Sequence, residues 1–543
     1  MKILFFYSAA LLLLLNTQNI SQTRTFTRQD TLRGTVTKER EWWDLKYYHL
    51  NVTVNPADSS ITGNNIVRYK VLKPYNIMQI DLQPPLKITG VFQNNTRLEF
   101  SNEGNAYYIK LTGPQKAGDE KEINVFYEGR PKVAKNPPWS GGVSWKKDSK
   151  GNDYIATTCQ GDGASLWWPC KDHQYDEVDS MLISITVPEN LADVSNGRLR
   201  SIVNNSDKTK TYNWAVTNPI NNYCVNMDIG NYVNFSENYK GEKGNLDCNY
   251  WVLPENLDKA KIHFKEVKRM LDAFEYWFGP YPFYADSYKL VDVSYTGMEH
   301  QSSVTYGNLY ENGYRKRDVS KSGWGLKFDF IIVHESAHEW FGNSITSKDI
   351  ADMWIHESFG AYSETLFTDF HFGKEAGSEY IIGTRANIRN DRPVIGSYNV
   401  NSEGSGDMYS KGANMLHTIR QIVNDDSKFR NILRGLSKTF YHQTVTTEQI
   451  ENYISAESGY DLSHVFNQYL RNTKIPIFEY KVENGKIRYR WTNCIENFDM
   501  PLKIFVDEKE KWIKPSVNWQ ETEMDPNAII SVDNNFYISV KNI

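Results

Sequence analysis

The sequence predicts a multidomain α+β protein, with a β-rich segment, a mostly helical segment and a small β-rich segment in that order. From about residue 38 to residue 248, short runs alternate between apolar and polar residues and are separated by Asn, Asp, Gly and Pro clusters. At Pro254 the apolar period changes from two residues to 3.6, and alternation returns at Phe478. The length of 543 residues allows about three or four domains.

The composition excludes several classes of protein. Lys and Arg number 61 against 66 for Asp and Glu, which gives a formal net charge of −5. This balance argues against a nucleic-acid partner, because neutralising phosphates requires an excess of basic residues. Hydrophobic residues make up 40% and charged residues 23%, which excludes a long disordered chain and a multi-span membrane protein. The aromatic content of 14% is typical of β-rich layers or aromatic-lined surfaces.

Residues 1–21 are predicted to be a secretory signal peptide. Met1 and Lys2 precede an apolar run over residues 3–15, which is too short to span a bilayer. No strong small-x-small cleavage site follows, and Ser21 is the best candidate for the residue before the cut. We expect an exported protein, periplasmic or secreted, with no integral span beyond this segment. An uncleaved N-terminal membrane anchor is the alternative.

After the leader, we expect an N-terminal β domain over residues 22–246, a helical domain over 247–474 and a C-terminal β domain over 475–543. In the helical domain, apolar residues recur at steps of three and four from Ala260 to Phe278, which predicts an amphipathic helix. Further helices are predicted over residues 328–342, 354–372, 375–389, 409–423, 429–440, 447–458 and 462–471. In the last domain, Asn484-Gly485 between two alternating runs predicts a type I′ hairpin.

Five cysteines are few for an exported chain and odd in number, so a disulfide scaffold is excluded. Cys159 could pair with Cys170, and Cys224 with Cys248, but buried free thiols are an equal alternative because spacing does not choose between them.

The strongest chemical signal is a His-Glu-x-x-His motif at His334, Glu335 and His338. Two histidines four residues apart on a helix point to one spot and suit zinc. Glu335 is then placed to reach a zinc-bound water rather than the metal.

A catalytic zinc needs a third protein ligand, and Glu357 follows His338 after eighteen intervening residues. His356 is the rival ligand, although adjacent helical residues point about 100° apart and only one can face the metal. Glu364 lies seven residues after Glu357 on the same helical face. There it either orients a ligand histidine or is a plain surface carboxylate.

With these motifs, the sequence resembles the aminopeptidase N type of gluzincin zinc aminopeptidase. Trp340-Phe341-Gly342-Asn343 follows the zinc motif, and Gly297-Met298-Glu299-His300 resembles the family's Gly-x-Met-Glu-Asn motif, with departures at Thr296 and His300. The resemblance implies one Zn²⁺ per chain and a peptide substrate whose free α-amine is held at Glu299, with Gly297 and Met298 beside it. A fixed anion there would select free N-termini, since an internal peptide would leave that charge unpaired.

Two further segments resemble the same family. Thr158-Cys159-Gln160 implies Gln160 as a second amine ligand from the N-terminal domain, and Tyr409-Ser410-Lys411-Gly412-Ala413 implies that the Tyr409 hydroxyl stabilises the oxyanion. The resemblance further implies a saddle- or sandwich-like first domain, a thermolysin-like catalytic domain and a small C-terminal β-sandwich, without the large helical C-terminal domain of longer members.

The function predicted from the sequence is therefore a zinc-dependent aminopeptidase, expected to be a monomer, with Glu335 as general base. The alternatives are a zinc endopeptidase, a hydrolase of non-peptide substrates, and a non-catalytic peptide-binding cell-surface protein. Aromatic residues are expected to wall the site: Trp168, Trp340, Trp354 and Phe359.

Overall fold

The structure, a computed structural model, describes residues 25–113 and 115–543, and the predicted leader lies outside them. Two short helices, α1 (Arg28–Gly34) and α2 (Lys38–Glu41), come first. The strands that follow are β1 (Trp43–Asn55), β2 (Ser60–Val71), β3 (Ile77–Asp81), β4 (Lys87–Gln93), β5 (Thr96–Arg97), β6 (Glu99–Glu103), β7 (Ala106–Lys110), β8 (Glu120–Gly129), β9 (Gly142–Lys147), β10 (Asp153–Thr158), β11 (Ser180–Pro188), β12 (Ala192–Val194), β13 (Arg198–Asn204), β14 (Thr209–Val216) and β15 (Asp228–Gly230).

These strands form the sheets of the N-terminal β domain. An eight-stranded sheet has the order β13-β14-β11-β1-β2-β8-β4-β5, a four-stranded sheet the order β12-β15-β10-β9, and a three-stranded sheet the order β3-β7-β6. Alternate residues of β1 and β2 are buried in the core of this domain. The predicted β-rich first domain is confirmed.

The next elements build the first layer of the helical domain: β16 (Val233–Gly241), β17 (Gly244–Val252), α3 (Leu257–His263), α4 (Glu266–Phe278), β18 (Tyr288–Asp292), β19 (Gly297–Met298) and β20 (Val304–Tyr306). The sheet order is β16-β17-β18-β20-β19, so β19 forms one edge. The predicted boundary after residue 246 falls inside β17. This strand alternates like those before it, but it pairs in parallel with β18, and Leu246 belongs to the core of the helical domain.

The helical layer continues with α5 (Phe330–Ala337), β21 (Ile345–Ser347), α6 (Trp354–Phe372), α7 (Lys374–Thr384), α8 (Ser410–Val423), α9 (Asp426–Thr439), β22 (Gln443–Val445), α10 (Thr447–Ser458) and α11 (Ser463–Arg471). The bounds predicted for α6 and α10 are confirmed. The helix predicted over 260–278 is instead two helices that break at Phe264. The helix predicted to end at residue 342 ends at Ala337, and the chain then turns through Gly342, whose φ is 138°.

The C-terminal domain contains β23 (Ile477–Glu483), β24 (Lys486–Thr492), β25 (Leu502–Val506), β26 (Lys509–Ile513), β27 (Gln520–Glu523), β28 (Ile530–Val532) and β29 (Ser539–Asn542), in sheets ordered β27-β24-β23-β29 and β26-β25-β28. Asn484 and Gly485 have φ of 53° and 74° between β23 and β24, which confirms the type I′ turn.

The C-terminal domain packs directly on α8, and its core is continuous with that of the helical domain. At this contact, His417 of α8 lies between two partners: its Nε2 is 3.0 Å from Asn535 Oδ1 and its Nδ1 is 3.1 Å from the Tyr362 hydroxyl. Burial lowers the pKa of His417 to about 3, so the neutral ring joins the two domains.

All five cysteines are free thiols, four of them buried and Cys494 partly exposed. Across residues 25–113 and 115–543, no helix combines the length and the apolar composition needed to cross a membrane.

Candidate metal centre and active-site cleft

Two helices bring three metal-ligating side chains to one point. The side chain of Asp329 accepts a hydrogen bond from the Ile332 amide and so caps α5, which carries His334 and is followed directly by His338. Glu357 lies in the first turn of α6. Its Oε2 is 3.7 Å from His334 Nε2 and 3.6 Å from His338 Nε2, and the ligand atoms all lie within 4.8 Å of one another.

The hydrogen-bond partners of these side chains fit a zinc ion. His334 Nδ1 is 2.8 Å from Glu364 Oε1, and His338 Nδ1 is 2.9 Å from the Phe341 carbonyl oxygen, so each Nδ1 carries its proton and each Nε2 lone pair is available. Glu357 Oε2 is buried and has no hydrogen-bond partner among the residues that the structure describes. Two imidazole nitrogens and the unsatisfied Glu357 carboxylate oxygen match a zinc site that keeps one position open.

His356, the rival ligand, lies outside this cluster. Its Nε2 accepts a hydrogen bond of 2.8 Å from the Ser347 amide, and its ring stacks on Tyr223 with centroids 6.3 Å apart. Its Nδ1 is 3.4 Å from the Tyr223 hydroxyl, so both ring nitrogens face other partners, as expected from the angle between adjacent helical residues.

Glu364 lies behind His334 rather than on the protein surface. Its second oxygen accepts a short hydrogen bond from the hydroxyl of Tyr380, and both side chains are almost fully buried. This pair fixes the carboxylate that orients the His334 ring.

Glu335 faces the edge strand β19. A Cβ on Gly297 would lie 2.6 Å from Ile331 Cγ2 and 3.1 Å from Glu335 Oε1, so glycine at this position leaves the room that the carboxylate occupies. Burial raises the pKa of Glu335 to about 7. A carboxyl group with such a pKa can both accept and return a proton near neutral pH.

Gln160 joins the other two acidic side chains of the cleft. Its Nε2 donates hydrogen bonds of 2.6 Å to Glu299 Oε1 and 2.9 Å to Glu357 Oε1. Residue 160 follows β10 of the N-terminal domain, whereas Glu299 follows β19 of the helical domain. Met298 is tied to the same region, since its sulfur lies 3.8 Å from Thr158 Oγ1.

The electrostatics of the cleft favour a cation. Burial, followed by the charges of Glu357 and Glu335, raises the pKa of Glu299 well above its usual range. Burial opposes ionisation of Glu357, but His338 and then His334 hold its pKa down to about 2. Carboxylates this close and this buried stabilise a positive charge placed between them.

The two departures from the family motif flank this acidic group. His300 is fully buried, its ring nitrogens have no hydrogen-bond partner within residues 25–113 and 115–543, and burial lowers its pKa to about 3. Thr296 is buried at the end of the cleft next to Gly297. The Glu299 backbone is nevertheless held, because Asn343 Nδ2 donates to its carbonyl oxygen at 2.9 Å.

Tyr409 lies just before α8, and its partly exposed ring stacks over His334 with centroids 5.9 Å apart. Ser358 Oγ donates a hydrogen bond of 2.7 Å to the Met408 carbonyl and so ties the Tyr409 segment to the residue next to Glu357. Gly412 permits this contact, because a Cβ there would lie 1.8 Å from Ser358 Oγ.

One cleft of about 690 Å³ collects most of the predicted site residues. Glu364 lies outside its lining, and the nine that line it are Gln160, Gly297, Met298, Glu299, His334, Glu335, His338, Glu357 and Tyr409. The aromatic wall was predicted wrongly. Trp168, Trp340, Trp354 and Phe359 are buried in the cores, and the aromatic residues of the cleft are Trp139, Tyr314, Phe330 and Tyr409. Phe330 is stacked on His334 at 5.2 Å and stands four residues before it, which is the helical spacing that could have indicated it.

Family models match both large domains of the chain. The Peptidase family M1 domain matches residues 262–469, and the Peptidase M1 N-terminal domain matches residues 45–224. The chain belongs to peptidase family M1. The resemblance indicated by the zinc, amine-site and tyrosine motifs is thus confirmed at the level of the family.

Curated M1 relatives include "Probable aminopeptidase 2" of Sulfurisphaera tokodaii, 22% identical over 380 residues that cover 67% of this chain and 46% of the relative. "Endoplasmic reticulum aminopeptidase 1" of Mus musculus is 24% identical over 304 residues, which cover 53% of this chain and 32% of the relative. The matches therefore span about a third to a half of these relatives.

Solved structures of an M1 zinc metallopeptidase from Deinococcus radiodurans share the fold. One is 20% identical with a TM-score of 0.68 and covers 82% of this chain and 98% of the other. A mutant of that protein bound to a Tyr-Ser-Ala substrate has the same TM-score of 0.68 and identity of 20%, and covers 82% of this chain and 99% of the other. The M1 architecture inferred from the sequence is confirmed by this likeness.

Proposed function

We propose that this M1 protein is a zinc-dependent aminopeptidase that removes the N-terminal residue of peptides. The observation that carries the proposal is the bridge of Gln160 between Glu299 and Glu357. It supports an acidic site for an ammonium group at Glu299, because Gln160 holds this side chain beside Glu357, the proposed metal ligand. An N-terminal amine held there would bring the first peptide carbonyl to the metal triad.

His334, His338 and Glu357 would hold one Zn²⁺. When bound, zinc supplies Lewis-acid polarisation of the scissile carbonyl and lowers the pKa of water. The histidines stay oriented through their Nδ1 contacts, so the site needs little rearrangement to bind the metal.

Glu335 performs the proton transfers. Its carboxylate takes a proton from the attacking water and delivers a proton to the leaving amine nitrogen, which its pKa of about 7 suits. The Tyr409 hydroxyl donates to the carbonyl oxygen as negative charge develops there. Burial and the nearby carboxylate of Glu357 raise the pKa of Tyr409, which keeps the proton on this hydroxyl.

Glu299 and Gln160 decide which end of a peptide binds. A free α-ammonium offers donors and a positive charge to Glu299 and Glu357, whereas an acylated or internal nitrogen offers one donor and no charge. Binding of a blocked peptide would leave the buried Glu299 carboxylate without a counter-charge, since Glu357 would already be paired with the zinc, and this disfavours the endopeptidase and non-peptide alternatives. The intact triad and Glu335 disfavour a purely binding role.

The proposal is tested with Glu335→Gln, assayed on leucine p-nitroanilide together with zinc content. We expect stoichiometric zinc and a loss of turnover of about 10³-fold or more, because the variant lacks a proton acceptor. Glu375→Gln, on the exposed first turn of α7, is the matched control and keeps wild-type rates. Turnover by Glu335→Gln at a wild-type rate would overturn the proposed role.

We also propose that the chain is exported. The support is the positively charged start and the apolar run over residues 3–15. Cell fractionation with N-terminal sequencing of the mature protein tests this proposal, and a cytoplasmic protein that retains Met1 would contradict it.

A further inference from the structure

The N-terminal β domain contributes a wall of the cleft as well as Gln160. The segment between β8 and β9 lines the cleft with Pro138 and Trp139. Trp139 is 69% exposed, whereas the other tryptophans of the described residues are buried or half-buried. A single exposed aromatic residue is ordinary on a protein surface. The position of this ring within the cleft is what suggests a function.

The Trp139 segment is fastened to both parts of the amine site. Thr158 Oγ1 donates to the Pro138 carbonyl oxygen at 3.3 Å and also lies beside the sulfur of Met298. On the other side, the Gly141 amide donates a hydrogen bond of 2.6 Å to Asp162 Oδ2, and Asp162 is two residues after Gln160. The segment therefore has a fixed position relative to the site that would bind the α-amine.

The segment is also closed on itself, which presents Trp139 at its tip. The Ser140 amide donates to the Asn136 carbonyl at 3.0 Å, and the Ser140 hydroxyl accepts from the Asn136 amide at 2.5 Å. Gly141 packs closely at the base, since a Cβ there would lie 2.6 Å from Leu166 Cδ1. A segment held this way can present a ring to a ligand without a large cost of ordering its backbone.

Two ends of the cleft can be told apart from the positions of the acidic side chains. Glu335, which must reach the leaving amine, and Ile331, at the start of α5, both lie against Gly297 of β19. Phe330 packs edge-on with Tyr314 at 5.3 Å in the same region. The departing peptide therefore runs towards Tyr314 and Phe330, and the opposite end, beyond the amine site, remains for the first side chain.

That opposite end is apolar where the first side chain would lie. Met298 precedes Glu299, and Pro138 and Trp139 stand beside it. Asp162, which also lines the cleft, is already engaged by the Gly141 amide and lies 3.6 Å from Lys132 Nζ. A compensated carboxylate of this kind offers little to a basic side chain, so the aromatic and thioether surfaces determine the preference.

We propose that Trp139, with Pro138 and Met298, binds the side chain of the first residue, so that the enzyme prefers aromatic or large aliphatic N-terminal residues. The inference rests on the proposed aminopeptidase activity. Trp139 contacts the substrate side chain and takes no part in proton transfer, so removing its ring selectively weakens catalysis on large residues.

The test compares phenylalanine and alanine p-nitroanilides for wild type, Trp139→Ala and Trp139→Tyr. We expect wild type to prefer phenylalanine. Trp139→Ala should lower kcat/KM on the phenylalanine anilide by about tenfold or more. Its kcat/KM on the alanine anilide should change by less than about threefold. Trp139→Tyr should recover most of the loss. Tyr460→Ala, which removes an exposed ring near the end of α10, should leave both rates unchanged, and zinc content and melting temperature check the fold.

The outcomes separate the two proposals. If wild type hydrolyses neither anilide with zinc bound, the aminopeptidase proposal fails. If wild type is active but Trp139→Ala lowers kcat/KM equally on both anilides, the proposed side-chain site is wrong while the aminopeptidase activity stands. The same holds if wild type prefers the alanine anilide.

Discussion

Removing the Glu364 carboxylate is expected to weaken zinc binding although Glu364 is not a ligand. Its two oxygens hold His334 Nδ1 at 2.8 Å and the Tyr380 hydroxyl, and all three side chains are buried. Glu364→Ala would release the His334 ring and leave two buried donors without acceptors.

The size of the effect follows from those two contacts. Each stranded donor costs about 1–3 kcal/mol, and loss of a carboxylate that orients a ligand histidine typically lowers metal affinity by about 10–100-fold. We expect about 100-fold for Glu364→Ala. Glu364→Gln keeps an oxygen for His334 but replaces the acceptor of the Tyr380 O–H with an NH₂ donor, so the charge and this one hydrogen bond are lost and the decrease should be nearer tenfold.

Zinc dissociation constants are measured by competition with a chelator during reconstitution of the apoprotein. Glu375→Gln, a neutralised exposed glutamate on the neighbouring helix α7, is the control and should keep wild-type affinity. Wild-type zinc affinity in Glu364→Ala would refute the orienting role, and so would a larger loss in Glu364→Gln than in Glu364→Ala.

Three further changes test other contacts. Gly412→Ala places a methyl group 1.8 Å from Ser358 Oγ and should destabilise the fold by about 1–3 kcal/mol, seen as a lower denaturant midpoint; an unchanged midpoint would contradict this packing. Gly297→Ala crowds Glu335 and should lower kcat by tenfold or more, with zinc content unchanged as the check. Neutral His417 stabilises the fold above pH 6.5, and this contribution is lost as the pH falls towards 3. From pH 7 to pH 5, the free energy of unfolding of wild type, measured in urea, should therefore fall by about 2 kcal/mol relative to that of His417→Gln. If the two proteins lose stability in parallel over this pH range, the lowered pKa of His417 is refuted.

The metal centre was readable from the sequence because its geometry is local. The spacing of His334 and His338 alone puts them on one helix face. Glu357 lies in the first turn of the next helix, α6, whose bounds were predicted from the sequence. Likewise, Asn484-Gly485 adopts the positive φ values that its residue types favour.

Other features depend on contacts between distant parts of the chain. Residue spacing could not predict the hydrogen bond between Gln160 and Glu299, which are 139 residues apart in the sequence. Only the family motif indicated that the two side chains act together. No sequence pattern indicated a role for Trp139, because the role proposed for it depends on where the β8–β9 connection lies against the helical domain. β17 alternates like its predecessors, so its pairing with β18 and the domain boundary were also beyond periodicity.

The central claim, that the cleft selects a free α-amine beside a zinc triad, is tested most directly by one ratio. The kcat/KM of the zinc-loaded protein is measured on a tripeptide such as Phe-Ser-Ala and on its N-acetylated form. Since Glu299 and Gln160 would lose their cationic partner in the blocked peptide, the account predicts a preference of about 10³-fold or more for the free peptide. Equal cleavage of both peptides, or faster cleavage of the acetylated one, would contradict it.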